Sequence, residues 1–192
     1  QASDVIFSQN TAHSHVASGS SAGQCAGMQY GPQNVWYIFN EFYNCEVGIL
    51  FSSNSVSNPG QNQYIIGNLI YNILNSSFDT ENSWTGAAVS LWGGVDTPVL
   101  NNVIYEYDGG VYSPRSSGVL VIENNIFGSA QIGSEMFLYS STLVENADID
   151  SNMYMSSGSF RVGSSADHNL TQFQATYGHE TKGAANTNPL FT

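Results

Sequence analysis

Apolar residues in this chain recur at two set distances from a repeating asparagine. Asn10, Asn40, Asn68, Asn102, Asn125 and Asn152 stand in QNTA, FNEF, GNLI, NNVI, NNIF and SNMY, at spacings of 30, 28, 34, 23 and 27 residues. Three residues before them lie Phe7, Tyr37, Ile65, Val99, Ile122 and Ile149. Two residues after them lie Ala12, Phe42, Ile70, Ile104, Phe127 and Tyr154. Both columns are apolar or aromatic throughout. Strand side chains alternate between faces, so two strands meeting at a one-residue corner would turn both columns inward. Asparagine tolerates the left-handed backbone of such a corner, and its amide can bond the asparagine one coil away. The runs GMQY, GILF, AAVSLW, GVY and MFLY supply a third strand per coil. The widest interval, 34 residues, holds the polar insertion NSSFDTENSWTG. The pattern predicts about three short strands per coil, with coils stacked at roughly 4.8 Å.

The predicted fold is all-β: a right-handed parallel β-helix, a single-stranded solenoid of about six coils with a short C-terminal helix and tail. The phrases YIIGNLIYNI, VLNNVIYEYDGGVY and VLVIENNIFG resemble the parallel β-helix repeat of pectate-lyase-like proteins. The tail LTQFQATYGHETKGAANTNPLF resembles the segment that often follows the last coil in that superfamily. The resemblance covers nearly the whole chain and implies the fold. Its members include polysaccharide lyases, glycoside hydrolases, epimerases, phage tail spikes and adhesins, so it does not choose an activity. Residues 1–166 are assigned to the coils and 167–192 to a helix and tail packed on the solenoid. Asn169 is the expected helix cap, Leu170, Phe173 and Tyr177 recur at helical spacing, and Gly178 is the stop.

The outward positions break the usual alternation. Four residues before the asparagines lie Ile6, Trp36, Tyr64, Pro98 and Val121; two before lie Ser8, Ile38, Ile66 and Leu100. A solvated strand would carry polar residues there. Trp36, Ile38, Tyr64, Ile66 and Leu100 are therefore interface candidates, to be covered by the tail helix, a further segment or another subunit; the tail helix is the simplest answer. The first coil lacks the covering helix that relatives usually carry. Its bare strand edges are expected to belong to a fragment, to meet a partner, or to stack on another copy. His13, Tyr43, Tyr71 and Tyr105 form another outward row. The tyrosines are carbohydrate-contact candidates as a flat platform for sugar rings, or an ordinary aromatic ladder.

Charge narrows the partners. Three Lys and Arg stand against 15 Asp and Glu, a net charge of −12, so a nucleic-acid footprint is missing. No apolar run approaches membrane-spanning length. The composition, with little Lys and two Cys, fits an extracellular or cell-surface protein. Aligning GMQY with GILF sets Cys25 and Cys45 one residue out of step on adjacent coils, within bridging distance.

Candidate chemistry is sparse. A lyase of the resembled superfamily uses a Lys or Arg base, often with Ca²⁺; Arg115 in VYSPRSSG is the candidate near a coil, with Lys182 away in the tail. A hydrolase needs two carboxylates in different protonation states, and the register puts Glu123 and Asp150 on adjacent coils with Asp148 beside them. These three could act as catalysts, bind Ca²⁺ or splay into water. His13 and His15 form half of a metal site without an evident third ligand. Asn75-Ser-Ser and Asn169-Leu-Thr are sequons. Three readings result: a solenoid for assembly or surface contact, associated with a polysaccharide or other glycan; a fragment of a polysaccharide lyase or glycoside hydrolase; and a carbohydrate-binding module. The first is preferred.

Overall fold

The computed structural model describes residues 3–16, 23–52, 60–74, 86–113, 118–128 and 130–187. Its first coil comprises β1 (Ser3–Ser8), β2 (Thr11–His13) and β3 (Gln24–Gln29); its second, β4 (Gln33–Ile38), β5 (Glu41–Cys45) and β6 (Val47–Ser52). The third has β7 (Gly60–Ile66), β8 (Leu69–Ile73) and β9 (Ala87–Trp92), followed by a short β10 (Gly94–Val95) that pairs with β7. The fourth has β11 (Thr97–Leu100), β12 (Val103–Tyr107) and β13 (Gly109–Ser113). The fifth has β14 (Leu120–Glu123), β15 (Ile126–Phe127) and β16 (Met136–Leu138). A five-residue helix, α1 (Ser141–Glu145), leads to the sixth coil: β17 (Asp148–Asp150), β18 (Met153–Tyr154) and β19 (Phe160–Val162). Helix α2 (Leu170–Tyr177) follows. The strands form three parallel sheets, β1-β4-β7-β11-β14-β17, β2-β5-β8-β12-β15-β18 and β3-β6-β9-β13-β16-β19. This is a parallel β-helix.

The asparagines occupy the corner between the first and second sheets as one continuous ladder. Each side-chain amide from Asn10 to Asn125 donates to the Oδ1 of the next asparagine, at 2.9–3.2 Å. That same Oδ1 also accepts the donor's own backbone N–H, at 2.8–3.0 Å. From Asn40 onward the amide also donates to a carbonyl of the preceding coil, such as Ile65 for Asn102. Asn40, Asn68, Asn102, Asn125 and Asn152 are thus buried with their polar groups satisfied. The left-handed residue of the corner is the one before each asparagine: Gln9, Phe39, Gly67, Asn101, Asn124 and Ser151. The asparagine itself must aim its amide along the axis, and its neighbour makes the turn. Gly67 is needed twice over, because φ is +67° and a Cβ there would meet the Phe39 ring at 2.5 Å. Two further columns of left-handed residues, Asp4/Asn34/Asn62/Asp96 and Ser14/Asn44/Asn72/Glu106, stand five residues to either side of this corner in the first four coils.

The inward columns are as the pattern predicts. Tyr37, Ile65, Val99, Ile122 and Ile149 pair in register, as do Phe42, Ile70, Ile104, Phe127 and Tyr154, and all are buried. On the third sheet Ile49, Val89, Val111, Met136 and Phe160 continue the core. There β6, β9 and β13 are buried on both faces, which is why they read as unbroken apolar or small-residue runs.

Cys25 and Cys45 form the expected disulfide, with Cα atoms 5.7 Å apart. The register behind that expectation is corrected by two residues. Gly27 pairs with Leu50, and Cys45 pairs with Ile73 at the end of β5. The bridge therefore crosses from the third sheet of one coil to the second sheet of the next.

Helix α2 begins and ends where the sequence places it. Asn169 and Gln172 form a capping box, and Gly178 closes the helix in the left-handed conformation. Phe173 stacks on Phe160 at 4.5 Å, so the helix packs on the last coil and its buried residues join the core. Residues 180–187 add a partial seventh rung, with bonds from Glu180 N to Ile149 O, Ala184 N to Asn152 O and Tyr154 N to Ala184 O.

Candidate functional site

Register on the first sheet aligns outward side chains as strictly as inward ones. Ile6, Trp36 and Tyr64 share one column, which continues through Pro98 and Val121 to Asp148. The neighbouring column runs Ser8, Ile38, Ile66, Leu100, Glu123, Asp150. Trp36 and Tyr64 stack at 5.1 Å with planes 4° apart. From Trp36 to Val121 the apolar members are half-buried, and Ile6 is 66% exposed. Phe39, 63% exposed, extends the patch along the corner. Helix α2 does not cover this stripe. Phe173 and Leu170 are spent on the end of the core, beside Phe160 and Gly158, so the expectation of a tail helix over Trp36, Ile38, Tyr64, Ile66 and Leu100 is overturned.

The same two columns turn acidic over the last coils. Glu123 pairs with Asp150 across the ladder, and Asp148 pairs with Val121. Burial first, then the charges of Asp148 and Asp150, raise the Glu123 carboxyl, and a hydrogen bond with Asp148 adds to this. Asp150 behaves oppositely. Burial alone would raise it, but backbone N–H groups of Lys182 and Ser151 (both 2.8 Å) and the Thr181 hydroxyl (3.1 Å) bring it below its ordinary value. Lys182 Nζ stands 3.6 Å away. The opposed shifts resemble an acid/base pair. Asp150, however, is occupied in tying the tail to β17. Lys182, distant in sequence, is brought beside the carboxylates by that tail.

His13, Tyr43, Tyr71 and Tyr105 do form an outward ladder on the second sheet. Their centroids are 4.8–4.9 Å apart and their planes within 11°. The rings therefore cover one another's faces and present edges and hydroxyls, not a flat platform. Tyr71 donates to Glu41 at 3.0 Å, and desolvation followed by that carboxylate pushes its hydroxyl up to about 12.

Arg115 and Asn75 lie outside the described residues. His13 contacts Ser14, His15 is exposed, and His179 donates to the Val144 carbonyl at 2.7 Å. Asn169 serves as the helix cap. Among the described residues no group of three His, Cys, Asp or Glu is placed to hold a metal ion, Glu123, Asp148 and Asp150 included.

Glu180 went unread in the sequence. Its Oε1 accepts from the Asn152 amide (2.6 Å) and the Tyr154 hydroxyl (2.5 Å), and Oε2 lies 3.3 Å from Asn152 N. An acceptor-only carboxylate thus terminates a ladder of amides that donate in one direction. Burial raises its pKa, against the lowering effect of these bonds. The signal was available, since Glu180 follows Asn152 by 28 residues, within the ladder's own spacing.

Comparison with protein-family models, curated proteins and solved structures finds no match to this chain.

Proposed function

We propose that this chain is a non-catalytic β-solenoid, carried outside the cell, that works by surface attachment through the outer face of its first sheet. The observation that carries the reading is the stripe Trp36, Ile38, Tyr64, Ile66, Pro98, Leu100 and Val121, apolar where a solvated sheet face would be polar and partly exposed in every member. The parallel β-helix supplies the rigid frame, and the repeat phrases resemble the pectate-lyase-like superfamily, whose members include adhesins. The disulfide supports an extracellular setting. In the first coil Ile6 and Phe7 are 66% and 40% exposed, whereas the tail bonds the last coil at Ile149, Asn152 and Tyr154. A head-to-tail stack of copies would have to displace that tail.

The test compares the wild type with an Ile38→Ser, Ile66→Ser, Leu100→Ser variant. Adsorption to alkyl-coated beads is measured, with light scattering and electron microscopy for association. The variant should stay folded and lose adsorption. Equal adsorption by both proteins rejects the stripe as the contact.

A second reading, contact with a glycan, is favoured by the exposed edges and hydroxyls of Tyr43, Tyr71 and Tyr105 beside Glu41. Retention on insoluble polysaccharide that is lost in Tyr43→Ser, Tyr71→Ser, Tyr105→Ser, but kept in the stripe variant, would select it. A polysaccharide-cleaving site has in its favour only the opposed shifts of Glu123 and Asp150. Cleavage abolished by Glu123→Gln would establish that third possibility.

A further inference from the structure

We propose that the stripe on the first sheet docks a protein helix carrying an apolar face followed by lysine or arginine side chains. This rests on the surface-attachment reading and names the partner. The two outward columns are apolar from the second coil through Val121 and Leu100, then end in Asp148, Glu123 and Asp150. Hydrophobic stripe and acidic terminus are thus one continuous surface, whose order along the solenoid axis is set by the register. Its complement is apolar first and cationic at one end.

Spacing argues for a helix laid along the axis. Coils repeat at roughly 4.8 Å, and a helix turns every ~5.4 Å, so one apolar side chain per turn meets about one coil. Over five coils the mismatch grows to only ~2–3 Å, within side-chain reach. Cations in the turns over the fifth and sixth coils would reach Glu123 and Asp148.

Charge argues against a second copy on this face. The chain carries three Lys and Arg against 15 Asp and Glu. Of these cations Arg161 pairs with Asp167 at 3.0 Å, and Lys182 stands beside Asp150. Two copies face to face would bring the acidic terminus against a surface with no surplus of positive charge, where like charges oppose contact. A cationic partner gains where a second copy loses.

The probe is a synthetic amphipathic peptide of about five turns, with leucines on one face and arginines in the last turn. A control peptide carries glutamates in place of the arginines. Binding to the full chain is followed by calorimetry at low and at raised salt. The arginine peptide should bind one-to-one and weaken about tenfold at raised salt or in Glu123→Gln, Asp148→Asn. It should lose binding in Ile66→Ser, Leu100→Ser, checked for folding by circular dichroism. The glutamate peptide should not bind. Three results would overturn the proposal: no binding of the arginine peptide, binding indifferent to Ile66→Ser, Leu100→Ser, or a concentration-dependent dimer formed through this face. Bead adsorption that depends on the stripe, without peptide binding, would sink this inference and leave the attachment reading standing.

Discussion

A ladder asparagine holds four hydrogen bonds at a buried position, out of contact with bulk solvent. Asn102 Oδ1 accepts from Asn68 N and Nδ2, and its own amide donates to Ile65 O and Asn125 Oδ1. Asn102→Ala removes the partner and leaves buried donors and an acceptor stranded, each costing ~1–3 kcal/mol. The expected loss is ~3 kcal/mol or more, read as a shifted midpoint in chemical denaturation. The inward columns should be stricter still. Ile104→Asp buries an unpaired carboxylate at a fully enclosed site and should prevent folding, whereas Tyr71→Ser, on the half-exposed outward row, should be mild. Equal damage from both would reverse inside and outside. Glu180 adds a pH dependence whose sign follows from its raised pKa. The native state holds the proton more tightly than the unfolded chain, so Glu180's contribution is full below the ordinary carboxylate value of 4.5 and declines as pH rises through the native one. Glu180→Gln should flatten that decline in stability measured against pH. Asp150, lowered, acts in the opposite sense and loses its contribution as pH falls.

Among elements, the disulfide and α2 act near opposite ends of the stack. Cys25 and Cys45 are 20 residues apart, and a loop of that length contributes on the order of 3 kcal/mol. Reduction, or Cys25→Ala with Cys45→Ala, should lower Tm by roughly 6–12 °C for a chain of this size. Alkylation of unreduced, denatured protein should find no free thiol. At the other end, Phe173 is fully buried against Phe160. Phe173→Ala should cost ~3–5 kcal/mol, with hydrogen exchange accelerated first in α2 and β19. Asn169→Ala, which removes only the cap, should cost ~1 kcal/mol.

For the whole molecule, shape and charge work together. The first and second sheets keep partly exposed outer faces, the third is buried on both faces over β6, β9 and β13, and a net charge of −12 keeps copies apart sideways. Among the described residues the first sheet combines a long apolar stripe with an acidic end, which makes it directional along the axis. Scattering at low salt should show no lateral clumping, and any association through the first coil should disappear in Ile6→Ser.

The sequence by itself determined the solenoid, its inward columns, the asparagine ladder, the disulfide partners and α2. In a solenoid each coil touches its neighbours about one repeat away, so the contact pattern is written as a period in the chain. Tertiary structure alone decided what depends on insertions and on the tail. The interval from β2 to β3 is far longer than that from β5 to β6, so sequence spacing does not carry the register across that corner, and Gly27 meets Leu50 and not Gly48. The turn fell to the residue before each asparagine because the asparagine's amide was already committed to the axis. The tail, free of the repeat, could be placed only by what it bonds: Glu180 in the ladder, Thr181 and Lys182 on Asp150, Phe173 on Phe160. By binding there it closes the core's end, and among the described residues α2 does not lie over the stripe of the first sheet.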